Sequence, residues 1–151
     1  MQKTMKYLCE NIQGCVLGYT QSDEITLVLI DYKNIDTSAW FDYNIQKCAS
    51  VAASMATMAF NNVFKEALKE YSEFTYSEQV TGEDKRYLEF LSDIADKCCA
   101  MFDARAFNIP KEEVCNNLLW RQNDATRNSI QMVGRAYFSH KQLDKKSTSD
   151  I

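Results

Sequence analysis

The hydrophobic pattern changes period several times along this chain, and each change marks an element. Met5 to Ile12 predicts a short helix, Cys15 to Thr20 a strand, and Ile25 to Ile30 a second strand, apolar on both faces and therefore buried. Only Gln21 to Glu24 lies between the strands, which predicts an antiparallel hairpin with the acids Asp23 and Glu24 at its tip. From Trp40 to about Tyr71 an apolar stripe follows the 3.6-residue period through Ile45, Ala49, Ala52 or Ala53, Ala56, Ala59 or Phe60, Val63 and Leu68. Its many small residues suit a helix lying close against a sheet. A polar stretch with Gly82 follows, then a weaker helix from about Glu83 to Lys97 and a strand from Ala100 to Ile109. Pro110 with Glu112 and Glu113 is a helix start, because Pro sacrifices no needed N–H there and acids favour the positive end of the helix dipole. Ser147 to Asp150 has the form of an opening cap for a helix beyond the chain. The order is helix, strand, strand, helix, strand, helix, an α+β pattern without internal repeats or low-complexity tracts.

The last long helix holds the densest polar run of the chain. Trp120 to Ile130 is flanked by apolar turns, with Val114, Cys115, Leu118 and Leu119 before it and Met132, Val133 and Ala136 after. Arg121, Asp124, Asn128 and Gln131 share one face on a helical period. Asn, Thr and Ser each cost up to ~0.7 kcal/mol relative to Ala in a helix interior, so helix propensity does not explain their placement. Two readings stand side by side: an exposed face with an Arg–Asp pair at i, i+3, or a functional surface.

Composition narrows the class. The 151 residues, 46% hydrophobic and 25% charged, suit one soluble domain with a sizeable core. No apolar run approaches the roughly 18 residues of a membrane span, and no signal pattern opens the chain, so a cytoplasmic protein is expected. Six cysteines without Cys-x-x-Cys spacing read as buried free thiols, and a single histidine, His140, disfavours zinc. The formal charge of −4 is the wrong sign for RNA binding by phosphate neutralisation, so an RNA partner would need a local basic patch. His140, Lys141, Lys145 and Lys146 are the visible candidate, and a solvated face is an equal reading of them.

The motif Trp120-Arg121-Gln122-x-Asp124-Ala125-x-Arg127-Asn128-Ser129-Ile130 comes after Phe102-Asp103-Ala104-Arg105-Ala106-Phe107, which follows Tyr19-Thr20-Gln21-Ser22-Asp23-Glu24. Together they resemble the tRNA-histidine guanylyltransferase family and its Thg1-like relatives, with similarity from about Leu8 to Ile151. The family consists of polymerases that add nucleotides to the 5′ end of tRNA in the 3′-to-5′ direction. The resemblance implies a polymerase-palm-like, ferredoxin-like β-α-β-β-α-β sheet with helices packed on it, here with its first strand missing. It places an N-terminally incomplete palm-like nucleotidyltransferase domain at 1–138 and the start of a C-terminal region at 139–151.

It also implies residue roles. Asp23 and Glu24 match catalytic ligands of two Mg²⁺ ions, whereas without the resemblance adjacent acids in a turn are usually turn chemistry. The family's other metal carboxylate lies on the missing strand, so the chain reads as a fragment or a degenerate member. Ser22, Lys47, Arg105 and Asn128 match nucleotide- and triphosphate-binding positions, a hydroxyl, a point charge, a planar fork and an amide. The plain alternatives are a solvated helix residue for Lys47, and for Arg105 a partner for Asp103 or Asp124. Asn44 departs from the arginine of eukaryotic members, and Thr126 from their histidine, so the pattern is closer to bacterial and archaeal proteins that repair truncated tRNA 5′ ends.

The implied substrates are ATP, GTP and tRNA, with His140 and Lys141 as an RNA contact and a homo-oligomer, typically a tetramer, as the assembly. No membrane partner is expected. The competing expectation is a catalytically inactive nucleotide- or RNA-binding remnant. An unrelated palm-like module such as a nucleotide cyclase is disfavoured by the Trp120 to Ile130 match.

Overall fold

Thr4, Leu8 and Ile12 recur every four residues and are all buried, so the first helix presents one continuous stripe inward. In the computed structural model, which describes residues 1–76 and 81–150, this helix is α1 (Gln2–Asn11). The remaining elements are β1 (Cys15–Gln21), β2 (Glu24–Leu29), α2 (Ile45–Tyr76), α3 (Gly82–Lys97), α4 (Val114–Tyr137) and α5 (His140–Leu143). Short 3₁₀ turns precede α2 (Trp40–Tyr43) and α4 (Lys111–Glu113). Among the described residues the sheet has two strands, the antiparallel hairpin β1–β2. None of the helices is long and apolar enough to cross a membrane among those residues.

Contacts group the chain into two units: Met1–Thr20 with Ile25–Phe107, and Gln21–Glu24 with Asn108–Ile151. The first holds the core. Leu8, Ile12 and Ala56 are buried together, with Tyr7, Cys15, Ile25, Leu27, Trp40, Ala52, Met55 and Phe102 packed around them. The alanines of α2 do what their size suggests, since Ala52, Ala56 and Ala59 leave room for α1 and the hairpin. Gly18 marks the closest approach, because a Cβ there would lie 2.5 Å from Cys9 Sγ and 2.9 Å from Met5 Cγ. Leu88 and Ala95 are the buried positions of α3, whose start is fixed by a reciprocal cap between Thr81 and Asp84.

Three sequence expectations change. The helix expected from Trp40 begins at Ile45 instead, because Phe41, Asp42 and Tyr43 hold left-handed φ values of 52°, 51° and 58°. Asn44 Oδ1 then accepts from the Lys47 N–H at 3.0 Å and caps α2. The hairpin turn tightens to Ser22 and Asp23, with Ser22 at φ 49°, and Gln21 and Glu24 join the strands.

The strand expected over Ala100–Ile109 does not form. Its side chains do alternate, with Ala100, Phe102, Ala104 and Ala106 half-buried and Met101, Asp103, Arg105 and Phe107 exposed. Its backbone, however, bonds to side chains of α2. Asn61 Oδ1 accepts from Ala100 N at 3.3 Å, Asn61 Nδ2 donates to Ala100 O at 3.0 Å, and Thr57 Oγ1 accepts from Phe102 N at 3.0 Å. The period-two signal was real; no described strand pairs with the segment.

The second unit has little core. Among the described residues every fully buried apolar side chain lies in the first unit, while Leu119, Trp120, Met132, Val133 and Tyr137 of α4 are exposed. Ser147 caps its own turn through Asp150 Oδ2, which accepts from Ser147 N at 2.8 Å and Oγ at 2.7 Å. Those bonds hold the Asp150 carboxyl below its ordinary value.

Candidate nucleotide and metal site

Glu24, at the start of β2, is engaged from two sides. Gln21 Nε2 donates to its Oε2 at 3.1 Å, and the Arg121 guanidinium of α4 forms an ion pair with the same oxygen. Arg121 is only 21% exposed, and Glu24 is 49% exposed, so the pair is partly shielded from water. Asp23 and Ser22, at the turn itself, are exposed. The two acids are therefore not equivalent: one carboxylate is neutralised by an arginine, and the other faces solvent.

On α4 the expected i, i+3 pair of Arg121 with Asp124 does not form: Arg121 turns to Glu24, and Asp124 pairs instead with Arg127 one turn later. Asn128 Nδ2 also donates to Asp124 Oδ2 at 3.3 Å. Part of the polar run is thus satisfied within the helix: Arg127 and Asn128 bond to Asp124, and Thr126 and Ser129 donate to the carbonyls of Gln122 and Ala125. Arg121 also lies 5.1 Å from the centre of the Trp120 ring, a cation–π contact.

In the first unit, Lys47 is exposed near the start of α2, with its Nζ 4.5 Å from the centre of the Phe41 ring. Arg105 extends from the 100–107 segment with its side chain 87% exposed, and its Nη2 approaches Asp103 Oδ2 at 3.8 Å. An exposed pair at that distance contributes little and leaves the fork open to a ligand. Asp124, the other expected partner of Arg105, pairs with Arg127. His140 and Lys141 are exposed on α5, where Ser139 and Gln142 form a reciprocal cap. Ser22, Asp23, Glu24, Asn128, His140 and Lys141 fall in the second unit, and Lys47 and Arg105 in the first.

Among the described residues no three His, Cys, Asp or Glu side chains cluster so as to hold an ion. Asp23 and Glu24 alone do not supply the near-octahedral oxygen set of two Mg²⁺ ions, and Arg121 already occupies Glu24. The residues present do not by themselves fit a two-metal centre.

The cysteines are free thiols, but the expected burial does not hold: Cys98, Cys99 and Cys115 are exposed and Cys9, Cys15 and Cys48 are half-buried. Burial and the neighbouring Cys9 push the Cys15 thiol up from 9.0 to about 11. Charge is uneven: the second unit contains seven Lys and Arg against seven Asp and Glu, so the net −4 resides in the first. Sequence reading passed over Glu24's arginine partner. The only signal for it was the Arg121 side chain itself, 97 positions away.

Comparison with known proteins completes the picture. The profile described as tRNAHis guanylyltransferase (Thg1) matches residues 1–110. A structure of a bacterial tRNA(His) guanylyltransferase (Thg1)-like protein in complex with ATP is 41% identical, with a TM-score of 0.76, over 98% of this chain and 54% of that one. A structure of such a protein in complex with GTP is 40% identical, with a TM-score of 0.69, over 91% of this chain and 54% of that one. Uncharacterized protein R259 of Acanthamoeba polyphaga mimivirus is 28% identical over 135 residues, 83% of this chain and 42% of that protein. The chain spans about half the length of the relatives it matches. The α4 motif lies beyond the residues matched by the profile and within the share aligned to the ATP-bound structure. With a profile matched over most of its length and 41% identity across nearly all of it, the chain belongs to the tRNAHis guanylyltransferase (Thg1) family.

Proposed function

We propose that this chain forms the nucleotide-binding part of a guanylyltransferase-like enzyme that adds nucleotides in the 3′-to-5′ direction to the 5′ end of a tRNA. The observation that carries this reading is the 41% identity, over 98% of the chain, to a relative bound to ATP. Ser22 in the second unit and Lys47 and Arg105 in the first are each exposed. Their chemistry is complementary to phosphate oxygens: a hydroxyl donor, a mobile ammonium and a planar five-donor fork.

Nucleotidyl transfer is a displacement at phosphorus in which positioning and electrostatic stabilisation supply most of the catalysis. This chain's residues need only bind and orient; no protein nucleophile is required, so the cysteines and His140 have no chemical role in this reading. Asp23 is the carboxylate left to contribute one ligand to a magnesium site that other residues of a longer protein complete. Asn128 acts by bracing Asp124, as its hydrogen bond indicates. The second unit, neutral where the first is acidic, is the side suited to RNA, with Lys141, Lys145 and Lys146 at its end. A homo-oligomer is the assembly proposed for the complete protein.

A second reading, a nucleotide- or RNA-binding member without catalysis, is favoured by the Glu24–Arg121 pair and by the incomplete donor set. One experiment separates them. The chain, alone and extended at its N-terminus by the corresponding strand of a complete relative, is assayed with 5′-monophosphorylated or truncated tRNA, ATP, GTP and Mg²⁺. Triphosphate binding by both forms, with nucleotide addition by the extended form, supports the enzyme. Binding without addition by either form supports the second reading, and absence of triphosphate binding overturns both.

A further inference from the structure

Trp120 is large and 61% exposed, with the Arg121 guanidinium 5.1 Å from the centre of its ring. An exposed indole offers a surface on which a planar ring can stack. Beside it lies a shallow pocket of about 210 Å³ lined by Trp120, Asn123, Asp124 and Arg127. These four positions recur at i, i+3, i+4 and i+7, so a single ridge of α4 builds the pocket without help from the rest of the chain.

The lining states what would fit. The volume is below the roughly 300–1,000 Å³ of sites that enclose a whole drug-sized ligand, so the pocket suits one flat ring system and not a complete nucleotide. Trp120 offers a stacking plate. Asp124, its side chain 20% exposed, is held in place by Arg127 and Asn128, yet each carboxylate oxygen retains a second acceptor site. Asn123 offers both a donor and an acceptor, and Arg127, 61% exposed, offers donors alone.

We infer that the Trp120–Asn123–Asp124–Arg127 pocket is a nucleobase-stacking site. Bases that carry an exocyclic amine, guanine, adenine and cytosine, can donate that N–H to Asp124 while a ring nitrogen or carbonyl accepts from Asn123 or Arg127. Uracil has no amine, and its one ring N–H is flanked by carbonyls that a carboxylate repels. The site goes beyond the triphosphate reading, because none of its side chains belongs to the Ser22, Lys47 and Arg105 set. It stands whether or not that set binds phosphate. A free nucleoside and unpaired RNA both present such a base; the ring chemistry is common to both.

The test titrates the protein with guanosine, adenosine, cytidine, uridine, ribose 5-phosphate, tripolyphosphate and a short single-stranded RNA, reading the Trp120 indole N–H resonance in the unaltered protein and backbone amide shifts and calorimetry in it and in every variant. Expected are perturbation by the three amino-bearing nucleosides, weaker perturbation by uridine, and none by ribose 5-phosphate. Trp120→Ala should weaken base binding at least about five-fold, in line with the loss of one stacked base, with an unchanged melting temperature. Trp120→Phe should retain most of the binding, and Asp124→Asn should erase the discrimination against uridine. Tighter binding of the RNA than of nucleosides, lost in Trp120→Ala, identifies RNA as the source; equal binding identifies free nucleosides. Nucleoside binding unchanged in Trp120→Ala, or equal perturbation by ribose 5-phosphate, overturns the site. Failure of tripolyphosphate to bind would count against the triphosphate reading alone.

Discussion

Arg121 neutralises Glu24 across 97 positions of sequence, tying the middle of α4 to the start of β2 within one unit. The bond separates two adjacent acids that sequence treats alike: Glu24 is a structural partner, and Asp23 remains available to a cation.

The two acids should therefore respond differently to loss of charge. Glu24→Gln and Arg121→Met should each lower stability by about 1 kcal/mol, the scale of a partly exposed charged pair, as measured by urea denaturation. Asp23→Asn should leave stability equal or slightly raised, because two like charges no longer adjoin. It should weaken Mg²⁺- or Mn²⁺-dependent nucleotide binding, measured by calorimetry. Unchanged metal-dependent affinity in Asp23→Asn would make Ser22-Asp23-Glu24 an ordinary turn.

Arg105 gives a cleaner separation of binding from folding. Its contact with Asp103 is long and solvated, so Arg105→Lys should leave the melting temperature within a degree or so while triphosphate affinity falls about tenfold. A lower melting temperature with unchanged affinity would assign Arg105 to the fold.

Asn61 holds the segment that carries Arg105. It is 8% exposed and bonds both backbone groups of Ala100. Asn61→Ala leaves a half-buried N–H and C=O of Ala100 without their partner and should cost about 1–2 kcal/mol in chemical denaturation. Triphosphate affinity should fall with it, because residues 100–107 lose their anchor to α2.

Cys15 sets an alkaline limit on stability. Its thiol is raised from 9.0 to about 11, so the folded state holds that proton more tightly than the unfolded chain. The contribution is complete below pH 9 and is lost as pH rises toward 11. Cys15→Ser should flatten this decline in urea midpoints between pH 9 and 11. At pH 8 an alkylating reagent should modify Cys98, Cys99 and Cys115 well before Cys15.

Local chemistry alone determined much of this protein. Period-two and period-3.6 patterns located the hairpin and α1, α2, α3 and α4, because burial of one face dictates which residues repeat. The Pro110 start placed the 3₁₀ turn that leads into α4. The motifs around Asp23, Arg105 and Trp120 were enough to indicate the family. Tertiary structure decided the rest, since it depends on groups far apart in sequence. Nothing local in Ala100–Phe107 shows that its backbone will bond to Asn61 and Thr57 instead of a strand. Nothing local in Ser22-Asp23-Glu24 distinguishes its acids. Arg121 does so, because an arginine's charge acts on whatever carboxylate the fold brings within reach.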